Sequence, residues 1–161
     1  MNLPEPTPRA ARRPPVLDDV SRALVEMLQR DGRQSYAALA AAVGLSESTV
    51  RQRVQKLVDG GVIQVVAVTD PTQVGFTRQA MIGIRVDGDP SSPLEALEAL
   101  PEVEYLVSTA GTFDLLVEVV CEDDDHLLDL LARLRRLPGV SSTETFLYLK
   151  LHRQRYDWGT R

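Results

Sequence analysis

SYAALAAAVGLSESTVRQRVQKLVDGG, running from Ser35 to Gly61, decides how this chain is read. Ser35 is placed to cap a short helix whose Ala37, Leu39, Ala40 and Val43 are small or aliphatic, so a neighbouring helix can approach closely. Gly44-Leu45 makes the turn, and Ser46 caps a second helix. In that helix Val50, Val54 and Leu57 recur at i, i+4 and i+7 and form an inward stripe. The opposite face holds Ser48, Thr49, Gln52, Gln55 and Lys56, with Arg51 on its shoulder. No Asp or Glu occurs from residue 48 to 58, while Arg51, Arg53 and Lys56 are all basic. Amides and guanidinium groups bond base edges, and hydroxyls and ammonium groups bond phosphates. The alternative for such a face is an ordinary solvated one. The pattern predicts a helix-turn-helix whose second helix enters a DNA major groove.

Upstream, Asp18 and Asp19 suit the start of a supporting helix, with Val20, Ala23, Leu24, Met27 and Leu28 on one face and a left-handed stop at Gly32. Residues 1–15 hold five prolines and three arginines and read as a disordered arm. It is either inert or a route for Arg9, Arg12 and Arg13 to phosphate or the minor groove. Downstream, Gly60-Gly61 ends the helix and Val62–Val68 is β-branched, predicting a strand and hence a short wing. The DNA-binding domain is thus placed at residues 16–69, with a hinge of turn-forming residues over 70–77.

A different rhythm begins at residue 78. Strands are expected over Ala80–Val86, Val103–Ala110, Asp114–Val120 and Ser142–Lys150. Ser92-Pro93-Leu94-Glu95 reads as a capping box opening a helix. A longer helix is expected from Asp123, with Leu127, Leu128, Leu130, Leu131, Leu134 and Leu137 inward. The order β-α-β-β-α-β over residues 78–150 is the split βαβ, ferredoxin-like arrangement, making the chain α/β in the broad sense, of the α+β kind. Two helices cover one face of such a sheet, so the other face needs a partner, and a dimer or larger assembly is expected. The tail 151–161 either packs on a neighbouring subunit or frays.

Composition fits this division. Of 161 residues, 43% are hydrophobic and 25% charged, and no apolar run has the length of a membrane span. The single cysteine, Cys121, excludes an intrachain disulfide and a cysteine-cluster metal site. By default the expected location is the cytoplasm. The net charge of −5 divides into +1 over residues 1–77 and −6 over residues 78–161. DNA contact confined to one end is consistent with that asymmetry.

The two halves together resemble the Lrp/AsnC family, the feast/famine regulators of amino-acid metabolism. Leu17-Asp18, Leu24, Leu28 and Asp31-Gly32-Arg33 resemble the family's opening helix. Leu39 to Ser46 and Val50-x-x-Arg53-Val54-x-x-Leu57 resemble its helix-turn-helix, and Gly61-Val62-Ile63 with Asp70-Pro71 its strand and hinge. Gly111-Thr112-Phe113-Asp114 matches the G-x-x-D turn, and Leu137-Pro138-Gly139-Val140 with Thr143-x-Thr145 the closing join. The resemblance implies a winged helix-turn-helix joined to an effector-binding domain of the RAM type. It also implies homodimers that assemble further and an amino acid or related metabolite bound between them. Carried onto this chain, the effector residues are Ser108, Gly111, Thr112, Asp114, Thr143 and Thr145. The DNA-contacting set is Ser35, Ser46, Ser48, Thr49, Arg51, Gln52, Arg53, Gln55 and Lys56. Asp114 offers a carboxylate for an ammonium group, though Gly111 and Asp114 equally make a plain hairpin turn. Phe113 replaces a tyrosine frequent in the family, so effector identity is not carried over.

No Ser/His/Asp set, metal spacing or phosphate-cradling loop is visible, and no cofactor is expected. The rival reading is an enzyme resembling sirohaem decarboxylases, for which only His126 and His152 are available. An assembly partner without its own operator is a third.

Overall fold

The computed structural model describes residues 17–161, and the arm expected over residues 1–15 lies outside them. The chain divides into two compact units, one holding the amino-terminal residues up to Ala67 together with Gln154–Arg161, the other Val68–Arg153.

The first unit contains α1 (Asp19–Arg30), α2 (Tyr36–Val43) and α3 (Glu47–Asp59). Each begins on a side-chain cap. Asp18 Oδ1 accepts from the Ser21 amide at 2.8 Å, Ser35 Oγ from Ala38 at 3.2 Å and Ser46 Oγ from Thr49 at 3.3 Å. These bonds satisfy amides that a helix cannot pair internally. Gly44 ends α2 at φ 70°, the left-handed region where a β-carbon is costly, and so makes the turn into α3. Leu24, Leu39, Ala40, Val50 and Val54 form the buried centre, with Val20, Met27, Leu28, Tyr36, Val43, Leu45 and Ile63 packed around it.

Two local expectations are corrected here. α1 stops at Asp31, whose backbone is extended (φ −151°) and whose carboxylate accepts from the Arg33 amide at 2.9 Å. A left-handed Gly32 is therefore not the stop. The strand expected over Val62–Val68 is not formed: residues 63–70 have no regular structure, and Val66 is 69% exposed. β-Branching favours a strand only when a neighbouring strand supplies hydrogen bonds, and among the described residues none does. No wing is present among the described residues.

In the second unit, Pro71–Val74 folds as one turn of 3-10 helix, with Asp70 Oδ1 accepting from the Thr72 amide at 2.9 Å. The strands are β1 (Arg78–Val86), β2 (Val103–Ser108), β3 (Leu115–Cys121) and β4 (Val140–Leu147), and the helices α4 (Ser91–Glu98) and α5 (Asp124–Leu134). The sheet order is β2-β3-β1-β4 with every pair antiparallel. This is the expected split βαβ arrangement. Ala80, Ile82 and Ile84 alternate onto the helix-covered side and meet Leu115, Val117, Val119, Leu97, Leu127, Leu130 and Leu134 in one core.

α4 starts two residues earlier than the capping box predicts, at Ser91 rather than Pro93. Pro90 is its N-cap without a side-chain bond, while Asp89 Oδ1 accepts from the amide and hydroxyl of Ser91 at 3.0 and 2.7 Å. In α5, Leu128 is 62% exposed rather than inward, because six leucines span a wider arc than one buried face can cover. Asp123 caps α5 by accepting from the His126 amide at 2.8 Å.

Candidate nucleic-acid interface and effector region

The outer side of α3 carries the side chains expected to meet DNA. Ser48, Arg51, Gln52, Gln55 and Lys56 are exposed, and Thr49 is half-buried. Ser46 Oγ sits 3.0 Å from Ser48 Oγ and 2.8 Å from Thr49 Oγ1, forming a hydroxyl cluster at the helix start. The unpaired amides and positive dipole end of a helix favour a phosphate there. Gln55 Nε2 donates to Asp59 Oδ1 at 2.8 Å, so its amide is engaged in this state. Arg51 Nη2 donates to Glu47 Oε1 at 2.8 Å, and its guanidinium carbon lies 4.4 Å from the centroid of the Tyr36 ring. Sequence spacing offers Glu47 as an i, i+4 partner but gives no hint of Tyr36, which arrives from α2.

Arg53 leaves the set. Its Nη1 donates to Asp18 Oδ2 at 2.6 Å and to Ser21 Oγ at 3.3 Å, which fastens α3 to the start of α1. At about 100° per residue Arg53 lies only about 40° from the buried Leu57, so the signal was present in the helical spacing. Hydrogen bonds from the Ser21 hydroxyl and amide, then from Arg53, lower the Asp18 carboxyl from 3.8 to about 2. Ser35 stays at the exposed start of α2, with its hydroxyl used as the cap.

In the second unit the six expected effector residues fall into separate places. Asp114 holds the end of the hairpin turn: its amide donates to Ile84 O at 2.9 Å and its Oδ2 accepts from the Val86 amide at 2.8 Å. Thr109 closes the same turn, its amide donating to Asp114 O at 2.8 Å and its hydroxyl to Phe113 O at 2.5 Å. Gly111 and Thr112 are exposed at the tip, and Ser108 ends β2 beside Leu115. Thr143 and Thr145 stand on β4 opposite Ile84 and Ile82, and Thr143 Oγ1 accepts from Arg135 Nε at 3.2 Å. Strands β2 and β4 are opposite edges, about 14 Å apart at three strand spacings. One copy of the sheet therefore does not gather all six around one small molecule.

Three features escape sequence reasoning. Gly83 gives its empty side to Phe113, whose ring would lie 2.6 Å from a β-carbon there. The ring also meets Phe146 edge-on, centroids 6.2 Å apart at 76°, with the Arg85 guanidinium 5.8 Å away. Glu102 is a buried carboxylate whose Oε1 accepts from Arg133 Nη1 at 2.7 Å and lies 3.2 Å from His126 Nε2, while its Oε2 has no hydrogen-bond partner among the described residues. Burial opposes ionisation of Glu102, yet its own backbone amide, His126 and Arg133 together hold its pKa below the ordinary value. Burial first, then Glu102 and Asp123, push the nearby Cys121 thiol up to about 11. His126 Nδ1 accepts from the Glu122 amide at 3.3 Å, so both ring nitrogens are engaged within the unit. Third, the tail returns to the first unit: Gly159 N donates to Gln29 Oε1 at 3.0 Å, Gln29 Nε2 to Gly159 O at 3.5 Å and Thr160 Oγ1 to Glu26 Oε1 at 2.8 Å.

A capped helix pair with an exposed polar outer face, joined in one chain to a split βαβ sheet, defines a helix-turn-helix transcriptional regulator with an attached ligand-binding domain. Residues 17–58 match the AsnC-type helix-turn-helix domain and residues 79–158 the Lrp/AsnC ligand binding domain. The chain belongs to the Lrp/AsnC family of transcriptional regulators. It is 31% identical over 140 residues to the HTH-type transcriptional regulator FL11 of Pyrococcus horikoshii, covering 86% of this chain and 93% of that one. It is 31% identical over 139 residues to the regulatory protein AsnC of Escherichia coli, covering 84% and 91%. Among solved structures, E. coli AsnC superposes with a TM-score of 0.77 at 30% identity, over 88% of this chain and 97% of that chain. The leucine response regulatory protein LrpA of Mycobacterium tuberculosis gives 0.78 at 34%, over 87% and 99%. No helix among the described residues is long and apolar enough to cross a membrane.

Proposed function

We propose that this regulator binds operator DNA through Ser48, Thr49, Arg51, Gln52, Gln55 and Lys56 of α3, with Ser35 and Ser46 at the phosphate backbone. The observation that carries this reading is the exposed polar face of α3, without an Asp or Glu from residue 48 to 58, in a chain of net charge −5. Operator recognition needs more than one copy, because a single helix covers too few base pairs. The sheet face left open by α4 and α5 bears the exposed aromatics Tyr105 and Phe146, which a second copy would cover. Homodimers assembling into larger oligomers follow, acting in the cytoplasm and without catalysis.

The effector in this reading is an amino acid or a related metabolite, held at the turn of Gly111, Thr112 and Asp114, with Ser108, Thr143 and Thr145 contributed across copies. Asp114 Oδ1 remains for an ammonium group while Oδ2 keeps the Val86 amide. Effector binding between copies changes the spacing of the helix-turn-helix units against the operator.

The test replaces Arg51, Gln52 and Gln55 together by alanine. Operator affinity at fixed salt should fall while oligomer size, measured by sedimentation, stays the same. Unchanged affinity would remove this face from the interface. For the effector, Asp114→Asn preserves a turn acceptor but loses the charge, and should abolish the ligand-induced shift in melting temperature. A shift equal to the parent's would exclude Asp114.

A further inference from the structure

We infer that Arg51 is a base-reading side chain, set by Tyr36 and Glu47 to present its guanidinium to a guanine in the major groove. This rests on the DNA-binding reading above and adds which residue reads which base. The guanidinium is constrained twice. Its carbon lies 4.4 Å from the centroid of the Tyr36 ring, and Nη2 is bonded to Glu47 Oε1 at 2.8 Å. The ring face below the cation and the carboxylate beside it together restrict where the guanidinium can sit. Tyr36 is half-buried at the first position of α2, and Glu47 is at the first position of α3, so both supports stand on capped helix ends. Of the five guanidinium donors Glu47 takes one, which leaves enough for a bidentate pair with O6 and N7 of guanine.

The charge arrangement favours a base over a phosphate. A phosphate contact gains from net positive charge and asks little of orientation, as a lysine provides. Arg51 instead travels with a carboxylate 2.8 Å away, so the pair is neutral and would carry Glu47 toward the phosphate chain. A guanine edge is uncharged and directional, and rewards a held plane. The neighbouring cations differ: Arg53 is fastened to Asp18, and Lys56 is exposed and has no ion-pair partner among the described residues. Lys56 suits a phosphate. Arg51 suits a base.

The experiment first selects duplexes from a random library with the full-length parent. Dissociation constants are then measured for the selected duplex and its single base-pair variants at several salt concentrations. Arg51→Ala should flatten the preference for one G·C pair, by about five- to a hundredfold, and leave the other positions intact. Arg51→Lys keeps the charge but loses the fork, and should flatten the same position while keeping the parent's salt slope. Tyr36→Leu should weaken that preference by about two- to fivefold, whereas Tyr36→Phe, which retains the ring face, should keep it. If Arg51→Ala weakens every duplex equally and lowers the salt slope by about one, Arg51 is a phosphate contact and the inference fails. If Arg51→Ala flattens the position and Tyr36→Leu, folded by circular dichroism, does not, the role given to Tyr36 fails. A Tyr36→Leu chain that does not fold leaves Arg51→Lys against Arg51→Ala to decide. A parent that enriches no duplex at all refutes the DNA-binding reading itself, a result distinct from either failure above.

Discussion

Gly83→Ala tests how the hairpin turn is seated on the sheet. A β-carbon at Gly83 would lie 2.6 Å from Cγ and Cδ2 of Phe113 and 2.7 Å from Cε2. That is about 1 Å inside ordinary carbon–carbon contact. The ring cannot slide away freely, because the carbonyls of Phe113 and Asp114 are bonded to Thr109 within the turn and the Asp114 amide to Ile84 of β1. It must leave Gly83 and give up its edge contact with Phe146. Overpacking of this kind costs about 1–3 kcal/mol, and the aromatic pair is worth about 0.5–1.5 kcal/mol within that. A loss near 2 kcal/mol is expected. In a Phe113→Ala background the same methyl group meets no ring. There Gly83→Ala should stabilise by about 0.5 kcal/mol, since glycine inside a strand is entropically unfavourable. The sign of one substitution thus depends on the other. Urea unfolding followed by circular dichroism at fixed chain concentration measures all four corners of the cycle, and amide exchange in β1 assigns the transition to the sheet. Equal effects of Gly83→Ala with and without Phe113 would refute the seating argument.

Three further outcomes follow from the geometry. Because the folded Asp18 carboxyl lies at about 2 against an ordinary 3.8, its contribution is complete above that ordinary value and is lost as pH falls through about 2; amide exchange at Ser21 should accelerate within that window and not above it. Gly44→Ala should cost about 1–2 kcal/mol from backbone conformation alone, because no atom lies within 4 Å of the added carbon; Gly44→Asn should cost less, and thermal melts rank the two. Cys121 is buried, with its thiol raised to about 11, so a disulfide reagent at pH 8 should react slowly with the native chain and rapidly in urea; fast native reaction would contradict the placement.

The elements that could be read from sequence are those whose cause is local. Ser35, Ser46 and Gly44 act on backbone groups within a few residues, and all three do in the fold what their chemistry predicts. The leucine spacing of α5 gave the right helix but one leucine too many inward, since the covered arc is set by α5's neighbours and not by its own sequence. Val62–Val68 carries strand propensity without a strand to pair with, and propensity without a partner forms nothing. The recognition face was legible as a set, but direction was not: Arg53 looks like one more cation until Asp18, thirty-five residues earlier, turns it inward. The effector residues form a group only in the family pattern, because strand order separates Ser108 from Thr143 and Thr145, and strand order is a property of the whole sheet.

The return of the tail to α1 has a consequence for synthesis. A ribosome delivers α1, α2 and α3 first, and such a unit ordinarily folds as it emerges. Here Gln29 and Glu26 wait for Gly159 and Thr160, which follow all four strands of the sheet. The helical unit is therefore completed only once the entire sheet between them has been translated.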